Sequence, residues 1–360
     1  MEKLLILDSN SLMNRAFYAL PPLTNSEGIS TNAIYGFMNM LLKMKEEIKP
    51  DYIVAAFDRK APTFRHKEYS DYKAGRKKMP AELAMQFPII KEILKNLAIE
   101  IYEIDGFEAD DIIGTVANLC EKEGIEVYIV TGDKDALQLA SDNINVIITK
   151  KGVTETAEYN KQAFIDEYGI TPKQFIDVKG LMGDKSDNIP GVPGIGEKTA
   201  FKLIQTYGSI EDVLKNVENV NGKKLKENLE EYSEQALFSK KLATIITEVP
   251  IDINLDEIRS NENFNKEALK EQLIKLEMKK LLYKIIGEEE KKETSINTET
   301  INTLEGLKKA LQEIKDEAFF TYTVLDSSTF SKIRIDKIFL GEENVSKEIC
   351  IEEIIKENRE

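Results

Sequence analysis

EADDIIGTVANLCEKEGIEVYIVTGDKD, residues 108–135, decides the fold class. It reads as a helix opening at Glu108, followed by a strand from Glu126 that runs into an acidic turn at Asp133 and Asp135. Upstream the same alternation repeats. KLLIL (3–7) is a strand, SNSLMNRAFYAL (9–20) a short helix, and STNAIYGFMNMLLKMKEEIK (30–49) a longer one. YIVAAF (52–57) is a buried strand ending at Asp58, a helix is expected from about Ala81 to Leu97, and IEIYEI (99–104) is a further strand. Strands alternating with helices predict an α/β fold with a parallel central sheet flanked by helices. In such folds the functional cleft lies beyond the carboxyl ends of the strands.

Downstream, residues 160–250 turn helical, with Gly191, Gly194 and Gly196 marking a tight turn. The polar run EEEKKETSINTET (288–300) reads as a linker. The expected organisation is therefore an α/β core over 1–170, a helical region over 171–287, the linker, and a 301–360 segment too short for a complete domain. No internal repeat is found.

Composition removes several kinds of chemistry. The chain of 360 residues is 42% apolar, enough for a sizeable core. It holds no apolar run long enough to span a bilayer, and Asp8 interrupts the N-terminal apolar stretch that a secretory signal would need, so a cytoplasmic protein is expected. Two cysteines, Cys120 and Cys350, build neither a disulfide framework nor a Cys-rich zinc site. With one histidine, His66, histidine-rich metal sites are impossible, and hydrolysis must rest on carboxylates, Lys, Arg, Tyr or bound ions. The net charge of −15 argues against nucleic acid, but its distribution does not. Residues 59–78 carry eight cations against two anions, a local charge of +6.

The acids fall in a pattern. Asp8 ends the first strand and Asp58 the second; Glu108, Asp110 and Asp111 open a helix; Asp133 and Asp135 follow a strand; Asp184 and Asp187 lie in GDKSDN. Taken singly, each has an ordinary explanation as a helix-dipole partner, turn residue or cap. Jointly, separate segments deliver carboxylates to one predicted sheet edge. Crowded carboxylates repel unless cations neutralise them, and hard oxygen ligands suit Mg²⁺ or Mn²⁺. Two such ions can activate a water and stabilise the leaving oxygen of a phosphodiester. Glu108 and Asp111 share a helix face at i, i+3, as would Asp184 and Asp187 if that segment were helical.

Phe64-Arg65, Tyr69, Tyr72-Lys73 and Arg76 interleave aromatics with cations, which suits a nucleic-acid strand. GVPGIGEKTA (191–200) places Gly191, Gly194, Ile195 and Gly196 before a helix carrying Lys198, Thr199 and Lys202. This reads as a helix-hairpin-helix that grips duplex backbone without reading sequence.

Four stretches, FDRKAPTFRHKEYSDYKAGR, GFEADDIIGT, VTGDKDALQL and LMGDKSDNIPGVPGIGEKTA, resemble in order and spacing the signatures of the bacterial DNA polymerase I 5′ nuclease, related to flap endonucleases. The resemblance covers about residues 1–290. It implies a PIN-like 5′ nuclease fold with a helical DNA-binding subdomain, and two-metal cleavage of DNA bearing a 5′ flap, nick or branched end. Asp8, Asp58, Glu108 and Asp110 would lie nearer one ion, and Asp133, Asp135 and Asp187 nearer the other. Asp111 and Asp184 would act partly through waters. A helical arch is implied over about 64–85, with Lys73 and Arg76 as catalytic cations, Tyr72 as a stacking platform and Arg65 on DNA. Arg15 would steer the scissile phosphate, and the hairpin would bind K⁺ through backbone carbonyls. AFFTYTVLDSS (318–328) resembles the opening strand of a proofreading exonuclease domain, but Phe320-Thr-Tyr322 stands where its metal-binding carboxylates belong. That domain would be inactive. The chain would be either part of a longer polymerase, with that domain in cis, or a stand-alone relative. The rival readings are a non-catalytic binder of branched DNA, a metal-dependent phosphatase for small esters, and a scaffold.

Overall fold

Leu4 and Ile6 on the first strand face one apolar cluster while Leu5 and Leu7 face another, and all four are fully buried. Side chains alternate across a strand, so an unbroken apolar run means a sheet covered on both faces. The computed structural model describes residues 1–150, 152, 155–260, 264–287, 297–313, 319–326, 334–342 and 345–350. Two compact units are present, Met1–Ile286 and Gly287–Glu360.

In the first unit the sheet is built from β1 (Lys3–Asp8), β2 (Tyr52–Ala56), β3 (Glu100–Tyr102), β4 (Glu126–Thr131), β5 (Ile144–Thr149) and β6 (Thr156–Tyr159), in the order β3-β2-β1-β4-β5-β6. All neighbours pair parallel except β5 with β6. The strand order therefore reverses between β1 and β4, and a topological switch point opens beyond their carboxyl ends. Asp8 and Thr131 end these two strands.

One face is covered by α1 (Ser9–Ala19), α2 (Asn32–Ile48), α4 (Ala81–Ala84), α5 (Gln86–Asn96), α13 (Lys266–Lys275) and α14 (Lys279–Ile286). The short α3 (Phe64–Glu68) stands between β2 and α4. The helix expected over 81–97 divides at Met85, which places Pro88 in the first turn of α5, where its missing N–H costs no intrahelical bond. The other face is covered by α6 (Ala109–Lys122), α8 (Phe175–Met182), α9 (Glu197–Tyr207), α10 (Ile210–Lys215), α11 (Lys223–Glu231) and α12 (Ser233–Ala243). α7 (Lys161–Tyr168) follows β6, its Phe164 fully buried in the same cluster. The cluster joining Leu4, Ile113 and Ile129 of the core to Val178, Ile204 and Ala236 of the helical region makes 1–286 one packed body. Each such buried Leu, Ile or Val side chain contributes about 1.5–3 kcal/mol.

In the second unit β7 (Asn297–Ile301), β8 (Phe319–Asp326), β9 (Arg334–Glu342) and β10 (Val345–Ile349) form a sheet in the order β7-β10-β9-β8. α15 (Leu304–Glu313) packs Leu304, Leu307 and Ala310 against Ile301, Ile338 and Ile349. Residues 297–300, expected in the linker, thus open a strand; 288–296 lie outside the described residues.

Candidate active site

The switch point holds a cavity of about 490 Å³ lined by Asp8, Asp58, Glu108, Asp110, Asp133, Asp135 and Asp187. Five of these carboxylates are placed by element ends. Asp8 caps α1: its Oδ1 accepts the Ser11 N–H at 3.2 Å, and its Oδ2 accepts the Thr131 hydroxyl from β4. Asp58, just past β2, accepts the Ala109 N–H at 2.7 Å and so caps α6 from outside. Glu108 is the N-cap residue of α6 and Asp110 lies in its first turn. Asp133 caps the 3-10 turn Lys134–Leu139 by accepting the Asp135 N–H at 2.9 Å.

Crowding shows in the acidities. Burial, followed by repulsion from Asp58 and Asp133, pushes Asp8 up to about 7. Burial, then Asp8 and Asp133, holds Asp110 well above the usual carboxylate range. Asp135 is pushed up to about 6 by burial and Asp133, although Lys179 pulls it down. This is the electrostatics of a site that lacks enough positive charge for its acids.

The cations present are side chains. Lys73 Nζ donates to Glu108 at 2.7 Å and lies 3.6 Å from Asp187. Arg76 pairs with the other oxygen of Asp187, and its neighbours Lys77 and Lys78 also line the cavity. Lys179 of α8, almost fully buried, bridges Asp135 at 2.5 Å and Asp184 at 2.6 Å. Burial opposes the charge on Lys179, but its two carboxylates outweigh that and raise its pKa. Despite its burial, Asp184 stays below the usual range through Lys179 and Ser186. Among the described residues no three acids stand close enough together, as the side chains lie, to hold an ion between them.

The segment 63–85, where a helical arch was expected, is helical only over 64–68 and 81–84; its residues line the acid cavity and it is pinned to the loop 183–196. The Lys73 N–H donates to Asp187 O at 2.9 Å, and Asn188 Nδ2 donates to Asp71 O at 2.8 Å. That loop also forms the glycine hairpin between α8 and α9. Gly183 and Gly191 pass so closely that a Cβ on Gly191, whose φ is +60°, would stand 2.3 Å from Gly183 N. Ser239 and Gln235 of α12 secure the turn through Gly191 N–H and Gly191 O. Ile195 is buried in the core, Gly196 caps α9, and Lys198 and Lys202 are exposed on it with Thr199 half-buried between them. On the opposite side, Arg15 of α1 donates to the carbonyls of Thr149 and Lys150.

Residues 3–169 match the 5′-3′ exonuclease N-terminal resolvase-like domain, and residues 170–267 the 5′-3′ exonuclease C-terminal SAM fold. The chain belongs to the 5′-3′ exonuclease family. It is 51% identical over 268 residues to DNA polymerase I of Bacillus subtilis, covering 74% of this chain and 30% of that protein. Against DNA polymerase I of Caldicellulosiruptor bescii it is 44% identical over 285 residues, covering 79% and 33%. The chain thus spans about a third of the length of these relatives. The fold is shared with a T5 5′-exonuclease structure carrying zinc (TM-score 0.55, 20% identity, 79% of this chain and 98% of that one). It is shared too with the catalytic core of Rad2 in complex with a DNA substrate (TM-score 0.53, 15% identity, 79% and 92%).

In this 5′-3′ exonuclease, four expectations from the sequence need correction. Arg65 is 2% exposed and does not face DNA. Its five N–H groups go to Leu242 O, Thr244 O, Glu108 and both oxygens of Asp111, leaving none for a phosphate. Asp111 is fully buried and points away from the cavity. Besides Arg65 it accepts the N–H groups of Glu108 (3.1 Å) and Ile246 (2.9 Å), so it organises the helix start instead of contacting an ion. Tyr72 is 4% exposed, packed near Ile189 and Leu242 with its hydroxyl 3.0 Å from both Glu108 and Asp187, and offers no face for stacking. Asp184 and Asp187 lie in a tight loop closed by mutual backbone bonds between Asp184 and Ile189, not on a helix.

Two features escaped the sequence reading. Lys179 sits in FIDVKGLM, and a cation on a helix whose one other charged residue is Asp177 was the available signal. The strap 242–246, the end of α12 and the three residues after it, closes over Arg65 and Asp111 and also takes a bond from Gln138 to Ala243 O; its sequence, apolar but for Thr244, announced nothing.

Proposed function

We propose that this 5′-3′ exonuclease is a structure-specific nuclease that hydrolyses DNA at a 5′ flap, nick or branched end with two divalent ions, Mg²⁺ or Mn²⁺, as primer removal and repair require. We place it in the cytoplasm as a part of a DNA polymerase I, with the polymerase in cis. The observation that carries this reading is the convergence of seven carboxylates from five chain segments on one cavity walled by Lys73 and Arg76. Their donor chemistry fits hard divalent ions, and the raised acidities of Asp8, Asp110 and Asp135 are what such ions would relieve. Asp8, Asp58, Glu108 and Asp110 are the candidates for one ion; Asp133, Asp135 and Asp187 for the other, with Asp184 behind them. Bound divalent ions would supply charge neutralisation and an activated water.

The remaining work falls to the chain. Lys73 and Arg76 exchange their carboxylate partners for the scissile phosphate and offset the charge that develops on it. The 64–85 segment forms the arch for the free 5′ strand. The hairpin presents backbone N–H groups at the start of α9, with Lys198, Thr199 and Lys202, to duplex phosphates, and its carbonyls take K⁺. Because the loop 183–196 carries both the hairpin and Asp187, gripping the duplex and placing the acids are mechanically joined. Arg15 steers the phosphate from the side of α1.

The test is cleavage of a 5′-labelled flap in Mg²⁺ with and without EDTA. Cutting that EDTA abolishes is expected. Binding without cutting would favour a passive binder of branched DNA, and turnover of a simple aryl phosphate would favour a small-ester phosphatase.

A further inference from the structure

A second cavity of about 430 Å³ adjoins the acid-lined one, within the range of roughly 300–1,000 Å³ typical of small-ligand sites. Ser11, Asn14 and Tyr18 line both. They stand at i, i+3 and i+7 on α1, so one face of that helix is the wall between the two spaces. The second space is cationic. Arg15 and Lys150 line it, no acid does, and neither residue forms an ion pair among the described residues. The Arg15 guanidinium is tied by Nε to Thr149 Oγ1 at 3.3 Å and by Nη2 to two carbonyls, while Nη1 makes no hydrogen bond among the described residues. At the end of the shared wall Tyr18 is 70% exposed, its ring held edge-on by Phe17 at 5.1 Å. A rigidly backed, solvent-facing ring between an acid-lined space and a cationic one suits a polyanion carrying flat bases.

We propose that Tyr18 is the stacking platform for the nucleobase next to the scissile phosphate, with the nucleotide seated in the second cavity and its phosphate against Arg15 and Lys150. The site that Tyr72 cannot provide, being buried, is thereby moved to α1. A single exposed aromatic is unremarkable in itself; its place on the wall common to both cavities gives it this role. The proposal rests on the nuclease reading above, and it assigns to Tyr18 ground-state binding: a stack present equally before and during reaction raises KM on removal and leaves kcat in place.

The experiment uses the full chain with flap DNA carrying 2-aminopurine on either side of the cleaved bond, bound in EDTA, and steady-state cleavage of the same flap in Mg²⁺. Tyr18→Ala is expected to abolish the fluorescence quenching seen with the parent chain and to raise KM about ten-fold, the equivalent of about 1.4 kcal/mol, with kcat within about two-fold. Tyr18→Phe is expected to keep both quenching and KM. A parent chain that cuts, with quenching and KM unmoved by Tyr18→Ala, overturns the platform and leaves the nuclease reading standing. A parent chain that fails to cut overturns the nuclease reading itself, and this subsite with it.

Discussion

Replacing Asp8 with Asn is expected to make the metal-free protein more stable. Asp8 is buried at the end of β1, and its acidity is pushed from 3.8 to about 7, a shift on the order of 4 kcal/mol at high pH. Because the folded-state pKa is raised, the folded chain retains a proton that the unfolded chain has lost between about pH 4 and 7. Stability therefore falls as pH rises through that window and stays low above it. Asn has the same shape and no charge. Its amide oxygen can still accept the Ser11 N–H, and its NH₂ faces Thr131 Oγ1, whose hydroxyl must find another acceptor at a cost of about 1 kcal/mol. Allowing also for relaxation of Asp110, a net gain of about 2 kcal/mol at pH 8 is expected, or a rise in melting temperature of roughly 4–8 °C for a unit of this size. The assay is thermal unfolding in EDTA at pH 5 and pH 8. The difference between parent and Asp8→Asn should be large at pH 8 and small at pH 5. Adding Mg²⁺ should raise the melting temperature of the parent by several degrees and that of Asp8→Asn by much less. A variant that melts below the parent at pH 8 in EDTA would refute the account of a strained, charge-starved cavity.

Further outcomes follow from other contacts. Arg65→Ala strands Asp111 and Glu108 in the interior and should cost about 3–5 kcal/mol in urea unfolding, with or without metal; a stable variant that merely binds DNA weakly would restore Arg65 to the surface role first expected of it. Gly191→Ala forces a Cβ into Gly183 N in a left-handed backbone and should cost about 1–3 kcal/mol, weakening duplex binding; unchanged melting and affinity would remove the hairpin's tight crossing from consideration. Asp133→Asn should fold normally yet cut flaps slower by orders of magnitude, and near-parental turnover would take Asp133 out of the site. Binding of flap DNA should weaken steeply between about 50 and 200 mM salt, and a flat response would contradict phosphate contacts by the arch and hairpin.

Much of this site is readable along the chain because it obeys local rules. A carboxylate at the end of an apolar strand, or in the first turn of a helix, arrives at the sheet's carboxyl edge by backbone geometry alone, and this is how Asp8, Asp58, Asp110 and Asp133 declare themselves. The glycines of the hairpin declare themselves likewise, since Gly191 has a backbone conformation that side chains resist. Tertiary packing decided which way the other polar groups turn. Asp110 and Asp111 are adjacent in one helical turn, yet one lines the cavity and the other is sealed against Arg65 under the strap 242–246. Lys179 became a bridge between Asp135 and Asp184 only because α8 packs beside the turn after β4. Spacing along a helix sets the angle between two side chains, but the dielectric and the partners each one meets belong to whatever element packs over it, and for a charged group those partners determine whether it serves the cleft or the core.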